Sequence, residues 1–443
     1  MSRRYPNDIP QQLIEEALVE IDRVFTTTWL TAPTQDHRLR KLWQRKDVLS
    51  TIELYSFGHA LTVMNKINAQ WVKGQVKIIK DKDDNNRRGA FFEIIGLSQL
   101  ADSTSYKVIP APHSQAGFDA TIQFSGLPET RLSLKSYGRS IHDRKFEEYG
   151  TQLESTLLSL MKKVGLHYAE FIIIYMRDKS PQAEDWEYLQ SEMPHLIRRF
   201  KRANNRKNGA HFIPLVISFQ GWEIRIRQSS RINTVDPRMI SYSLLVFAPH
   251  HFNECRNLYN KLDAAQANFT KHVKDNSTTN IIFIHVPLTI SVNQCEKWTQ
   301  QYFEDNREAT SQMVIFYQCA LAHDINEATN TLVHTFYPVQ NPSQSIPKQV
   351  FHFTAPVGRV SLESTQIQLV IDGVPIPEFS LDSSYMFQRG RYYNKAIKVE
   401  NGSIEGEINL LAPGIHQASV IELQGQLLVC NGNYEPTDEL LIL

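Results

Sequence analysis

The sequence predicts an α/β protein with several domains, and three observations support this prediction. Apolar residues recur at helical spacing through residues 8–82, helices alternate with short apolar strands from residue 89 to about residue 320, and strand-like segments separated by glycine turns follow residue 350. The chain has 443 residues and 42% hydrophobic content, enough for two or three cores at about 150 residues per domain. We therefore expect a multidomain globular protein.

Composition limits the classes of function. The 47 basic and 47 acidic side chains cancel, so attraction to a polyanion has to come from a local patch. Four widely spaced cysteines form no CxxC pair, which argues against a zinc site and a disulfide framework. The polar start MSRRYPNDIP lacks the apolar run of a signal peptide, and the longest apolar segments have the length of strands. We expect a cytoplasmic protein that does not enter a membrane.

The first two regions of the chain are predicted from local pattern. Residues 1–85 form an N-terminal helical region, and the charged run DKDDNNRRG at 81–89 is predicted to be a linker or loop. The next elements have the order α-β-β-β-α-β: a helix at 89–101, a strand at 106–111, strands around Asp119 and Lys135, a helix at 143–164 and a buried strand at 169–176.

The rest of the chain is predicted to form two further units. Strands and helices alternate beyond Pro237, which favours a second α/β unit with parallel strands over residues 231–345. Residues 346–443 alternate apolar and polar positions between glycine turns, so we expect an antiparallel β domain there.

Three polar residues of the second region have the chemistry that a phosphodiesterase needs. Asp119 lies on the polar face of its predicted strand, and Lys135 lies on the polar face of the next one. A carboxylate can hold Mg²⁺, and an amine beside the attacking water can orient or deprotonate it. Glu93 is flanked by apolar residues and therefore needs a buried partner, which is either a metal ion or a salt bridge to Arg87 or Arg88. For Asp119 and Lys135 the alternative is an ordinary solvated ion pair.

At these residues the chain resembles the PD-(D/E)XK nuclease superfamily, whose restriction-endonuclease-like fold has an αβββαβ core. The resemblance covers residues 86–178, and we assign the nuclease-like core to residues 86–230. It implies that Asp119 is a metal-binding acid, that Lys135 is the motif lysine and that Glu93 is a helical carboxylate ligand. It also implies Mg²⁺ or Mn²⁺ as the cofactor, with the Leu134 carbonyl as an extra ligand.

The chain departs from the family pattern at one position. Ser133 stands where the second motif acid is expected. Some members are similar in having a serine there and a displaced acid on the following helix, where Glu147 and Glu148 are available. We expect Glu148 to be the substitute metal ligand.

Two further groups of residues have both a functional and a structural interpretation. The first is a cluster of cations at the end of a predicted helix, which could neutralise phosphates or could be a solvated helix end: Arg198, Arg199, Lys201, Arg202, Arg206 and Lys207. The second is the pair His250 and His251, which has no third ligand at a recognisable spacing. We expect cap or surface histidines there.

Together these patterns predict a metal-dependent endonuclease that hydrolyses phosphodiester bonds in DNA. The resemblance implies a role in restriction, repair or defence against foreign DNA. A homodimer is expected because double-strand cutting usually needs two active sites, and the C-terminal β domain could bind a protein partner. The alternative is a non-catalytic scaffold with a nuclease-like core that binds a partner protein or nucleic acid.

Overall fold

The computed structural model describes most of the chain. The described residues are all except 1–2, 7–8, 34–36, 82, 102, 113–116, 167, 206–214, 228–240, 272–277, 288–289, 325–328, 346, 364–365, 372–373, 377–381, 391–395, 399–404, 408–414, 424–425 and 432–439. Within them the fold is mixed α/β, as the sequence predicts, and is organised around two larger sheets.

The helices are α1 (Gln11–Phe25), α2 (Thr27–Thr31), α3 (Arg38–Gln44), α4 (Val48–Ile79), α5 (Asp84–Ala101), α6 (Ile141–Val164), α7 (Ala183–Asn205), α8 (Cys255–Lys271) and α9 (Val292–Asp305). The strands are β1 (Tyr106–Pro110), β2 (Ala120–Phe124), β3 (Thr130–Ser136), β4 (Tyr168–Met176), β5 (Leu215–Phe219), β6 (Trp222–Arg227), β7 (Ser241–Pro249), β8 (Thr279–His285), β9 (Met313–Asp324), β10 (Thr329–Gln340), β11 (Arg359–Ser361), β12 (Gln366–Ile371), β13 (Val374–Ile376), β14 (Ser384–Gly390), β15 (Ala396–Lys398), β16 (Glu405–Glu407), β17 (Ile415–Leu423) and β18 (Gln426–Asn431). In the described part of the chain, no helix has both the length and the apolar character needed to cross a bilayer.

The N-terminal helices pack closely because of particular residues at their crossing points. At Gly58 of α4, a Cβ would lie 2.3 Å from the carbonyl oxygen of Ala17 in α1, so only glycine allows this approach. Further along α4, Asn68 leaves the helical conformation (φ −156°, ψ 87°), and its Oδ1 accepts the N–H of Trp71 at 3.0 Å. Asn68 therefore ends one helical segment and caps the next.

α5 begins inside the run that the sequence analysis assigns to a linker. The Asp83 carboxylate accepts the N–H of Asn86 at 2.9 Å as a helix cap, and Asp84 pairs with Arg88 one turn later at 2.8 Å. The loop prediction is therefore wrong for residues 84–89, because the charges find partners within the first turns of the helix. α4 and α5 share one apolar core, so the boundary predicted at residue 85 does not separate two cores.

The first sheet lies between two layers of helices. Its strand order is β1-β2-β3-β8-β9, continued by β18-β17-β12-β13, and β10 also pairs with β9. The first three strands are antiparallel, whereas β8 runs parallel to both β3 and β9. One face packs on α4 and α5, and the other packs on α8 and α9. The central strands are therefore buried on both faces.

The strand predicted to complete this sheet lies elsewhere. β4 pairs with β6 and β7 in a second sheet of order β14-β7-β4-β6-β5, which shares an apolar core with α6 and α7. The place beside β3 is taken by β8, after α8. The prediction that the helix at 143–164 and the strand at 169–176 continue the αβββαβ core is therefore wrong. Both candidates are a helix followed by an apolar strand, and such a pattern does not specify the pairing partner.

Most strands of the last two predicted units belong to the two larger sheets. β7 joins the second sheet, while β8, β9 and β10 belong to the first. From the C-terminal region, β14 pairs with β7, and β18 adds to β9. β15 and β16 pair only with each other, in a small sheet of their own, whereas the other described strands of these units extend sheets that begin earlier in the chain.

The segment Leu440–Leu443 lies against α4 and is held by a buried acid. Oε1 of Glu53 accepts the backbone N–H groups of Leu441, Ile442 and Leu443 at 2.8, 3.0 and 3.3 Å. The Glu53 side chain is 0% exposed, and this burial raises its pKa to about 7. Its neutral form is therefore favoured in the folded protein until the solution approaches neutral pH.

This raised pKa predicts a stability that falls as pH rises. The unfolded pKa of a glutamate is about 4.3, so the contribution of Glu53 is fully present below that pH and is lost as pH rises through the folded value of about 7. Glu53→Gln keeps an oxygen acceptor for the three N–H groups and removes the titration. We expect the variant to match the wild type at about pH 5 and to exceed it by on the order of 2 kcal/mol at about pH 8 in urea unfolding. Parallel pH profiles for the two proteins would contradict this assignment.

Candidate active site

The residues Asp119 and Lys135 meet at the carboxyl end of β3. The backbone N–H of Asp119 donates to the Leu132 carbonyl at 2.8 Å, which places Asp119 beside β3 just before β2 begins. Its Oδ2 accepts the backbone N–H of Leu134 at 2.6 Å and lies 3.5 Å from Lys135 Nζ. The Asp119 carboxylate thus takes the place of a backbone carbonyl of the β2–β3 ladder as the acceptor of the Leu134 N–H. This hydrogen bond fixes the position of the carboxylate. The side chains of Lys135 and Asp119 keep 20% and 26% exposure and so remain accessible to a ligand.

Ser133 supports Asp119 directly. The serine is fully buried, and its hydroxyl donates to Asp119 Oδ2 at 3.3 Å. The residue in the place of the second motif acid therefore holds the first acid in position.

Glu93 reaches the same place from α5. One turn beyond it, a Cβ on Gly96 would lie 3.1 Å from the Phe283 ring of β8 and 3.3 Å from Leu134 Cδ2 of β3, so α5 rests directly on these strands. Glu93 is on the same face of the helix, and its Oε2 accepts a hydrogen bond from the Gln75 amide of α4.

The pKa of Glu93 responds to the charges of both Asp119 and Lys135. Burial and, to a smaller extent, the negative charge of Asp119 raise the pKa of the Glu93 carboxyl to about 8, against the opposing effects of Lys135 and of the hydrogen bond from Gln75. Two carboxylates therefore compete for one ammonium group in an enclosed site.

A pocket of about 420 Å³ opens at this point. Glu93, Leu134 and Lys135 line it, and two more cations reach it from other elements: Arg88 of α5 and Lys261 of α8. Burial lowers the pKa of the Lys261 amine, and the neighbouring charge of Lys135 lowers it further. The pocket lining thus combines three cations with the acids Glu93 and Asp81, and Asp119 adjoins it through Lys135. Such a set of side chains can hold a phosphate group as well as a metal ion.

The sequence analysis missed Arg88 as a pocket residue, and it missed Lys261 and Gln75 entirely. Arg88 was considered only as a partner for Glu93, whereas in the structure its guanidinium pairs with Asp84 at 2.8 Å. Lys261 comes close to Lys135 only because β8 and the preceding α8 pack beside β3. Nothing local in the sequence marks it. Lys261 would have been predicted near Lys135 only if the pairing of β3 with β8 had been recognised.

The donor set fits a hard cation such as Mg²⁺. Among the described residues, Glu93 Oε1 and Asp119 Oδ1 accept no hydrogen bond, so each keeps an oxygen for a ligand. The N–H and C=O of one strand residue point to the same side, so the Leu134 carbonyl faces the side on which Asp119 lies. In the described part of the chain, no three or more His, Cys, Asp or Glu side chains come together in an arrangement that could hold a metal ion. Two carboxylates, a carbonyl and water match magnesium rather than zinc.

The predicted substitute acid does not reach the pocket. Glu148 is exposed on α6, which packs on α7 and β14 around the second sheet. Its neighbour Glu147 pairs with Arg139 and, at 3.3 Å, with Arg389 of β14. The prediction that Glu148 joins Asp119 depended on α6 belonging to the first sheet, and that placement is wrong.

The predicted nucleic-acid-binding run lies on α7, over the second sheet. Arg198, Arg199 and Arg202 are exposed there. Lys201 instead donates to the Val164 carbonyl at the end of α6, so it serves as a helix C-terminal partner. Arg206 and Lys207 lie outside the described residues. None of the described members of the run lines the pocket.

Comparisons with known proteins give the site no family name. No protein-family model matches the chain, no curated protein matches it, and no solved structure matches it. Its function is therefore inferred from the geometry of Glu93, Asp119, Lys135 and the pocket beside them.

Proposed function

We propose that the chain is a Mg²⁺- or Mn²⁺-dependent endonuclease that hydrolyses phosphodiester bonds in DNA. One observation supports this most strongly: the Asp119 carboxylate lies 3.5 Å from the Lys135 amine, and the Glu93 carboxyl is close enough for Asp119 to raise its pKa. Acids and a lysine at one strand end, beside a cationic pocket, suit the cleavage of an anionic ester. A role in restriction or defence and assembly as a homodimer are part of the same proposal.

In this proposal the acids hold the metal. Asp119, Glu93 and the Leu134 carbonyl would bind it, and Ser133 keeps Asp119 in place through its hydroxyl. When bound, the cation lowers the pKa of water and balances the charge that develops on the phosphate oxygens. Ser133 therefore supports the site without being a ligand.

The cations act on the substrate. Lys135 is placed to orient the attacking water and to stabilise the additional negative charge of the transition state. Arg88 and Lys261 line the same pocket and can hold the non-bridging phosphate oxygens by charge-assisted hydrogen bonds.

A second candidate function is a non-catalytic scaffold that binds a partner protein or nucleic acid. The observation that favours it is the buried Ser133 in the place of the second motif acid, together with the position of Glu148 outside the pocket. Such a scaffold would gain no stability from a divalent metal.

The first test concerns Lys135. Lys135→Ala should lower Mg²⁺-dependent nicking of plasmid DNA by about a hundredfold or more, because it removes the group that assists proton transfer. Its melting temperature should stay near the wild-type value, since a partly exposed ion pair stabilises little. Lys179→Ala is a matched control, because Lys179 also pairs with an aspartate, at 2.8 Å, and does not line the pocket. Undiminished nicking by the Lys135 variant would remove the assignment.

The second test separates the nuclease from the scaffold. Saturating Mg²⁺ or Mn²⁺ should raise the melting temperature of the wild type by about 3 °C or more, because the ion binds only the folded state. Glu93→Gln should lose this shift without losing stability in EDTA at about pH 8, because it removes a buried charge that Asp119 repels. Glu148→Gln should retain the shift. Equal metal shifts in the wild type and the Glu93 variant, or no shift in either, would favour the scaffold.

A further inference from the structure

Three aromatic rings lie against one another where α6 and α8 begin, and we call them the stack: the rings of His142 and His251 are stacked, whereas the Phe252 ring is tilted 33° from that of His251. Phe252 is 82% exposed, and its ring lies 4.3 Å from that of His251. The His251 ring lies in turn 3.7 Å from the His142 ring, with only 11° between their planes. A single exposed phenylalanine is ordinary. A stack of rings that ends in an open phenyl face is a surface for another flat ring.

The backbone under this stack is fixed. The His251 N–H donates to the Tyr385 hydroxyl at 3.1 Å, and His251 Nδ1 accepts the N–H of Asn253 at 3.2 Å. Burial lowers the pKa of both His142 and His251, which favours the neutral form of each imidazole. The rings are therefore held in place without a charge of their own.

The stack is continuous with the candidate active site. Asn257 of α8 donates to the carbonyl of Gly138 at 3.0 Å, and Gly138 lines the pocket. Lys261 lies one turn further along α8 and lines the pocket as well. The six residue steps from Cys255, where α8 begins, to Lys261 span about 9 Å of helix. Phe252 lies in the turn that leads into this helix, so the segment that carries its ring continues into the element that brings Lys261 to the pocket.

We propose that Phe252, supported by His251 and His142, stacks an unpaired nucleobase of the substrate while the neighbouring phosphate binds in the pocket. The occupant is a single-stranded segment of nucleic acid, because the faces of paired bases inside a duplex are covered by their neighbours. The cations Arg88, Lys135 and Lys261 complement its backbone charge. This inference rests on the proposed function and adds to it that the substrate presents unpaired bases.

Binding to strands with and without bases tests the proposal. Fluorescence anisotropy in EDTA would compare a labelled thymidine strand of about 12 nucleotides with one of equal length and charge in which the central positions are abasic. We expect the wild type to bind the base-bearing strand about tenfold more tightly. Phe252→Ala should lose this preference and keep its affinity for the abasic strand, while Phe252→Trp should retain the preference. Val350→Ala is the matched control, because Val350 is also exposed, at 66%, and lies outside the stack and the pocket.

The outcomes distinguish this inference from the proposed function. An undiminished base preference in Phe252→Ala, or no base-dependent binding by the wild type, would overturn the stacking role. Base-dependent binding in a protein that does not cleave with Mg²⁺ would keep the stack and remove the nuclease. A uridine strand of the same length as a further arm shows whether DNA or RNA supplies the base. Since Phe252 is exposed, all variants should melt as the wild type does.

Discussion

The parallel pairing of β3 with β8 is the constraint on which the candidate site depends. It buries β3 between α5 on one face and α8 on the other. The end of β3 is therefore the place where side chains from both layers can meet. Glu93 arrives from α5, Lys261 arrives from α8, and Asp119 is fixed to the strand by the N–H of Leu134. If β3 were an edge strand, Lys135 would face solvent on one side, and its charge would be screened.

The charges in the site oppose the stability of the fold. Burial and the charge of Asp119 together raise the pKa of Glu93, and Lys261 lies near enough to Lys135 for its own pKa to fall. Like charges brought together in an enclosed space cost free energy unless a ligand of opposite charge joins them. A cation between the acids and a phosphate between the lysines would relieve both repulsions. This electrostatic conflict is a physical reason to regard the pocket as a binding site.

The sequence predicts the local features of this site better than its environment. Alternation places Asp119 and Lys135 on polar faces of neighbouring strands, and these two residues do meet. The pairing of strands that are distant in the sequence is not predicted in this way. β4 and β8 are both apolar strands preceded by a helix, so the sequence offers no means to decide which of them lies beside β3. The misplacement of Glu148 follows from that single ambiguity, and so does the omission of Lys261. The function of Lys201 was hidden for a similar reason, since its partner is the carbonyl of Val164 on another helix.

The second sheet also explains why the aromatic stack lies beside the pocket. The chain leaves the first sheet after β3, forms four strands of the second sheet (β4 to β7) after α6, and returns at α8 to form β8; β14 joins the second sheet later in the chain. Because β3 and β8 are neighbours, the outgoing and returning segments have to pass close to each other. They are joined there by the hydrogen bond from Ser140 to Glu254 at 2.8 Å and by the contact between His142 and His251. The inserted sheet thus brings two distant histidines together at the edge of the site. The surface that we assign to substrate bases is a geometric consequence of the insertion, and it requires no separate structural element.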